Sequence, residues 1–315
     1  MKITPYFALA AVFILALSGC ARLYSLALPN HFESDAVALP EIATLDGGAL
    51  NEPSALQRSR RFPGLFWTVN DSGGKPELFA LNHQGRLIQP TNGVESVGIA
   101  VSPAKNIDWE SLAADERGNL YLADIGNNLS QRRDLTIYQI AEPDPRHDLF
   151  VVPSRVITFS YPEQQTFPDA QLRFDAEALF WLDGHLHLFT KHWKDRDNAL
   201  YRLDISEKSD EARAVFIGVH RLGGMVTAAD ATPDGRRLAV LTYGGVWLFA
   251  RDGKGDFFTA PARWLPIRAK QVEGIAFADD TGNELWLINE QRELFKVETG
   301  PNSPGWRFRK LDDGP

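Results

Sequence analysis

The feature that most constrains the fold is a short strand-like phrase that returns along the chain. It reads Glu52-Pro53-Ser54-Ala55-Leu56, Trp109-Glu110-Ser111-Leu112-Ala113, Ala176-Glu177-Ala178-Leu179-Phe180 and Val272-Glu273-Gly274-Ile275-Ala276. A variant, Val226-Thr227-Ala228-Ala229-Asp230, keeps the frame and loses the Glu. Self-similarity at roughly 40 to 60 residues marks a propeller or a solenoid, in which each unit must bury its faces against its neighbours.

About a dozen residues after each phrase comes a second apolar run: Phe66–Asn70, Leu120–Asp124, Leu186–Thr190, Leu238–Thr242 and Leu285–Asn289. Third runs follow at Glu77–Leu81, Leu135–Gln139, Ala199–Leu203, Val246–Phe249 and Glu293–Val297. Such short runs of aromatic, β-branched and Leu residues, bounded by turns such as Asp183-Gly184 and Asp234-Gly235, read as strands. Fourth strands are expected at Arg155–Phe159, Ala214–Gly218, Ala262–Leu265 and Trp306–Arg309. The fold class is therefore all-β, a β-propeller of five blades, with six as the alternative and a β-sandwich as the competing architecture. Closure is expected from an N-terminal strand, Glu41–Leu45, pairing with the last blade near Trp306 to Leu311.

The start of the chain reads as an address. Lys2, an apolar run from Phe7 to Leu17, and Leu17-Ser18-Gly19-Cys20 resemble a bacterial lipoprotein signal, with Cys20 as the lipidated residue. The expected layout is a signal peptide over 1–19, lipidated Cys and tether over 20–39, and one propeller over 40–315. The protein would then be held at a membrane by its lipid, with the periplasmic side of the outer membrane expected because Ala21 follows the Cys. Cys20 is the only cysteine, so disulfide and Cys-based metal or redox chemistry are not available. The formal charge of −8, one unit more negative once Lys2 is removed, argues against a nucleic-acid partner.

Propeller geometry turns the repeat into a candidate site. The start of each first strand and the end of each second strand lie at one face. The first column, Glu52, Glu110, Glu177, Thr227 and Glu273, should meet the second, Asn70, Asp124, Thr190, Thr242 and Asn289, at one mouth. Asp71, Ile125, Lys191, Tyr243 and Glu290 follow the second column. Crowded carboxylates need a cation, a proton or donors, and Lys191, Arg132 and Arg133 are candidate counter-ions. Oxygen donors without Cys favour Ca²⁺ or Mg²⁺, with Glu52, Glu110, Glu177 and Glu273 as candidate ligands. The alternative is that each Glu caps a turn or bonds the next blade.

The loops Asn70–Gly74 and Asp124–Asn128 put polar groups on Gly-containing turns, either for a ligand or simply for chain reversal. Candidate ligand contacts are Asn70, Asp71, Asp124, Asn128, Arg132, Lys191, Asn289 and Glu290. His185, His187 and His192 are better read as strand residues than as metal ligands. The tryptophans read as blade packing, with Trp67 and Trp109 as the candidates for a stacking surface at the mouth.

The motifs E-P-S-x-L from Glu52, W-x-x-N-D-S-G from Trp67, D-W-E-x-L-A from Asp108, A-D-I-G-N-N from Ala123 and E-G-I-A from Glu273 carry a resemblance. The chain resembles a group of secreted or lipid-anchored bacterial propeller proteins. It is also distantly similar to calcium-dependent propellers of the phytase-like, esterase-like and gluconolactonase-like kinds. That similarity implies oxygen donors from the Glu column with Asn70, Asp124 and Asn289 beside them; Thr227 breaks the pattern. The expected function is binding of a small ligand or an envelope protein at the acidic mouth. The alternative is Ca²⁺-dependent hydrolysis of phosphoesters, esters or lactones.

Overall fold

The structure, a computed structural model, describes residues 33–45, 48–91, 98–206 and 208–311. The signal segment, Cys20 and the tether up to Phe32 lie outside the described residues. Strand β1 (Glu41–Thr44) precedes the first blade, which contains β2 (Gln57–Arg58), β3 (Leu65–Val69), β4 (Glu77–Asn82) and β5 (Gly98–Val101). The second blade holds β6 (Trp109–Ala114), β7 (Asn119–Asp124) and β8 (Thr136–Ala141). After it, β9 (Phe150–Val151) returns to pair in parallel with β5, and β10 (Arg155–Ser160) completes the blade. The third is β11 (Asp175–Leu182), β12 (His185–Lys191), β13 (Asn198–Ile205) and β14 (Glu211–His220). The fourth is β15 (Val226–Ala231), β16 (Arg237–Thr242), β17 (Gly245–Ala250) and β18 (Ala262–Pro266). The fifth begins with β19 (Val272–Phe277), β20 (Glu284–Asn289) and β21 (Glu293–Glu298), and β22 (Arg307–Arg309) ends the described chain. Among the described residues no helix is long and apolar enough to cross a membrane.

Within each blade the strands form an antiparallel meander. The innermost strands pack on one another in the order β2, β6, β11, β15, β19 and back to β2, which closes the ring. The apolar core follows suit, dividing into five clusters, one in each blade-to-blade interface. This explains why the strand sequences look uniformly apolar. Every blade is sandwiched, so both faces are buried: Leu65, Trp67 and Val69 of β3 pack toward the second blade while Phe66 packs toward the fifth. Across that last seam Phe66 stacks on Trp286 with ring centroids 4.3 Å apart. Trp67 and Trp109 are fully buried in the same cluster, so they pack blades and do not line the mouth.

Closure comes from the N-terminal strand as expected, but its partner is β21 and not the Trp306–Leu311 segment. β1 pairs antiparallel with β21, Thr44 opposite Glu293, and so supplies the outer strand of the fifth blade. The Trp306–Leu311 segment does not receive it. β22 instead adds a fifth strand to the fourth blade, with Arg309 opposite Ala262 and Arg307 opposite Trp264. Ladder pairing decides this, because β1 already fills the open edge of β21. The outer strands β5 and β9 of the first blade were not foreseen, since they are short and sit among polar residues. Residues Glu33 to Leu39, inside the span read as tether, are already held to the body. Glu33 pairs with Arg307 and Arg309, Asp35 pairs with Arg307, and Val37 bridges to Ile267.

The inner strands share a defect that positions the site. In β6, β15 and β19 the register slips by one after the first residue, and in β11 after the second, leaving Glu110, Glu177, Thr227 and Glu273 as bulged residues. The same slip separates Pro53↔Asn70 from Gln57↔Trp67 in the first blade. A β-bulge inserts one residue and re-aims its side chain. Here it occurs once per blade, at the axis.

Candidate functional site

Alignment by register, rather than by the Glu letter, changes the membership of the ring. Pro53, Trp109, Ala176, Val226 and Val272 are equivalent, because they pair with Asn70, Asp124, Thr190, Thr242 and Asn289 of the second column. The bulge position is therefore Ser54, Glu110, Glu177, Thr227 and Glu273, and Glu52 does not belong to it. The two hydroxyl members behave alike: Ser54 Oγ donates to Trp109 O at 2.6 Å, and Thr227 Oγ1 donates to Val272 O at 2.7 Å. Each fastens its blade to the next. The three Glu members are buried; Glu177 pairs instead with the Lys191 ammonium, and Glu273 accepts from the Tyr243 hydroxyl at 3.0 Å.

One step earlier lies a second layer of the mouth: Glu52, Asp108, Asp175, Met225 and Gln271. These stand beside the residues that follow the second strands. Asp71 N donates to Glu52 O at 2.9 Å, Ile125 N to Asp108 O at 3.2 Å, and Glu290 N to Gln271 O at 3.1 Å. Asp175 faces Lys191 directly across the β11–β12 hairpin. Asp108 and Asp175 escaped sequence reading because they lie just before the repeated phrase; the residue preceding each copy was the available signal.

Four members of the second column turn away to brace their own loops, while the buried Thr190 Oγ1 makes no hydrogen bond. Asn70 Oδ1 accepts from Asn51 N at 2.8 Å and its amide donates to Ala49 O. Asn289 bonds the backbone and the carboxylate of Glu293. Thr242 Oγ1 serves the Gly244–Gly245 turn. Asp124 accepts from Asp108 N and pairs with Arg132 at 2.9 Å. Arg132 thereby supports the β7 loop, while Arg133 is exposed and lies over Phe167. Asn128 is exposed, and it is its neighbour Asn127 that turns inward, donating from its backbone to Asp175 Oδ1 at 2.6 Å. The histidines do not converge: His187 stacks on Phe180, with burial lowering its pKa to about 4, and His192 pairs with Asp195.

Lys191 is the cation of the mouth. Its ammonium, almost fully buried, pairs with Glu177, lies 3.7 Å from Asp175, and sits 4.9 Å from the centre of the Trp193 ring. Burial alone would lower its pKa, but Glu177, then Tyr243, Asp175 and Glu110, push it well above the ordinary lysine value, so it stays charged. The other carboxyls exceed what one lysine can neutralise. Burial raises Glu110 well above its ordinary value, helped by Glu177, Asp71 and Asp108. Burial, then Asp71 and Asp175, raises Asp108 to about 7. Burial raises Glu273 to about 8, against the pull of Lys191 and a 3.0 Å hydrogen bond from Tyr243, and raises Glu290 to about 7.

Within this crowd Asp71, Asp108 and Glu110 bring one carboxylate oxygen each within 4.8 Å of one another. Oxygens on opposite sides of a Ca²⁺ ion are about 4.6–5.2 Å apart, and Mg²⁺ demands a tighter octahedron. Among the described residues, none of the three carboxylates has an ion-pair partner within 4.0 Å. Their approach depends on Gly126, where a Cβ would collide with the Asp108 carboxyl and come within 2.5 Å of Glu110 Oε1. Asn106 supports the loop from below, its amide donating to Asn70 O and Asp71 O at 3.0 and 2.9 Å.

Fold and site together define a β-propeller with a carboxylate-lined axial mouth built around one buried lysine. Solved structures similar to it include a gluconolactonase-like protein, with TM-score 0.46 and 13% identity over 90% of this chain and 98% of that one. Another is the PQQ-bound aldose sugar dehydrogenase of Streptomyces coelicolor, with TM-score 0.45 and 11% identity over 82% and 97%. A third is a 6-phosphogluconolactonase-like protein of Bacteroides uniformis, with TM-score 0.40 and 16% identity over 84% and 72%. No protein-family model matches the chain. No curated protein matches it in sequence.

Proposed function

We propose that this chain is an envelope propeller, anchored through lipid on Cys20 and facing the periplasm from the outer membrane. Its acidic mouth binds a hard divalent cation, Ca²⁺ or Mg²⁺, and through it a small oxygen-rich ligand or an envelope protein. The observation that carries this reading is the Asp71–Asp108–Glu110 triad, whose oxygens all lie within 4.8 Å of one another, close enough to share one hard cation, with no side-chain cation paired to them among the described residues. Glu52 stands at the rim as a further oxygen donor, whereas Glu177 and Glu273 are engaged by Lys191 and Tyr243.

Calorimetric titration of chelator-treated protein with Ca²⁺ tests the reading. Binding with a stabilised thermal transition is expected, and both should vanish in Asp71→Asn with Asp108→Asn. No heat and no thermal shift with either Ca²⁺ or Mg²⁺ would sink the cation. A second reading, hydrolysis, is favoured by one specific feature. Asp108 and Glu290 are raised to about 7, a value suited to accepting a proton from water near neutral pH. A panel of phosphoesters, esters and lactones, with and without Ca²⁺, separates the two, since a binding protein turns over none of them.

A further inference from the structure

We propose that the seam between the first and second blades, on the mouth side, holds a small zwitterion: a free α-amino acid with an apolar side chain. A cavity of about 310 Å³ opens there. That is the lower end of the roughly 300–1,000 Å³ found for small-molecule sites. Ladder register builds its floor. Asp124 lies opposite Thr136 in the β7–β8 pair, and Tyr138 lies opposite Val156 in the β8–β10 pair. Residues directly opposite share a face, and Thr136 and Tyr138 are two apart on one strand, so all four look the same way. That face is turned to the first blade, where Tyr138 packs in the shared core cluster. The first blade does not cover it here, because β5 ends at Val101. The chain then crosses to β6 through a loop whose Lys105 and Ile107 line the other side of the cavity.

Both apolar and polar groups in this cavity are left without partners. Ile107 and Val156 are 43% and 41% exposed, and they reach the same space from different segments. A ligand side chain laid between them would remove apolar surface from water on both. Tyr138 is only 8% exposed. Its hydroxyl oxygen accepts from Lys105 N at 3.2 Å, but its own hydrogen has no acceptor among the described residues. A buried O–H without an acceptor is costly, and a ligand carboxylate would satisfy it. The exposed Lys105 ammonium has no ion-pair partner among the described residues and is the second group for that carboxylate. Asp134, 60% exposed, is met by Arg132 through Nε at 3.1 Å, and its other oxygen is open to an ammonium. Charge then decides the class. Lys105 and Arg132 balance Asp124 and Asp134, so the site suits a ligand with two opposite ionic ends rather than an ion of one sign.

Calorimetric titration with L-phenylalanine and L-leucine, in chelator to keep metal from the mouth, tests the site. Both should bind with Kd of about 1 mM or below. N-acetyl-L-phenylalanine lacks the ammonium, L-phenylalaninamide lacks the carboxylate and glycine lacks the side chain. Each should bind at least about tenfold more weakly. Lys105→Ala changes an exposed side chain, so it should keep the parent's thermal midpoint and weaken L-phenylalanine binding by a similar factor. Tyr138→Phe, which keeps the ring and removes the hydroxyl, should weaken it as well. No heat from either amino acid at about ten times that concentration overturns the proposal. Equal affinity for the blocked derivatives overturns it too, as does parental affinity in Lys105→Ala.

Discussion

Lys191 and Glu177 form an ion pair from which water is almost wholly excluded, with 6% and 4% of the two side chains exposed. A buried pair contributes little net stability against an apolar replacement, but breaking it by removing one partner is costly. The lysine also offsets Asp175, so its loss would leave two buried carboxylates facing each other. Lys191→Met should therefore destabilise the protein by about 3–5 kcal/mol at neutral pH. Urea unfolding checks it, and Lys191→Met with Glu177→Leu should recover much of the loss.

Glu273 and Glu290 give the metal-free protein an unusual pH profile. Their folded pKa values, about 8 and about 7, lie above the ordinary 4.5, so the folded state keeps protons that the unfolded chain releases. Stability contributed by these protons is present in acid and is lost as pH rises from about 4.5 through about 8. Thermal unfolding in chelator should accordingly show a lower midpoint at about pH 8.5 than at about pH 5.5, with a slope on the order of 1 kcal/mol per unit per group. A flat or rising profile across that window would contradict the proposed burial of these acids.

Much of this was legible in the sequence, and what was not has a physical reason. The repeated phrase and the apolar runs that follow it marked out the blades, because sandwiched strands must be apolar on both faces. Glu52 misled, since matching letters placed it in the ring that Ser54 occupies. A bulge shifts register by one residue and leaves no mark in composition. Closure of the last blade by β1 was legible, but the pairing of β22 with β18 in the fourth blade was hidden, because the edge a short strand joins leaves no local pattern. Tyr243 was placed directly after the second column, but its hydrogen bond to Glu273 was not foreseen. Nor was Gly126, because its role is the space it leaves for Asp108 and Glu110.

That space makes a sharp substitution. Gly126→Ala would drive a methyl into the Asp108 carboxyl and against Glu110 Oε1, forcing the triad apart. The expected outcome is a weakening of Ca²⁺ binding by at least about tenfold, or roughly 1.4 kcal/mol, measured by calorimetry. Secondary structure followed by far-UV circular dichroism should remain that of the parent protein.

Closure by β1 can be tested by truncation. A chain beginning at Pro40 keeps the strand and loses only the Glu33–Val37 contacts, so it should still unfold cooperatively. A chain beginning at Gly48 loses β1 and exposes the edge of β21, which should bring aggregation or loss of the cooperative transition. Size-exclusion chromatography with calorimetry distinguishes the two.

The bulges have a consequence for how such a mouth changes over time. Each inner strand presents one extra residue at the axis, outside the hydrogen-bonded ladder of its own blade. The five positions behave as sockets: the acid, hydroxyl or amide plugged into one can be exchanged without re-laying the sheet around it. Ser54 and Thr227 already show two sockets fitted with a fastener where the others carry an acid. Selectivity at the centre of this molecule is thus modular, while its architecture stays fixed.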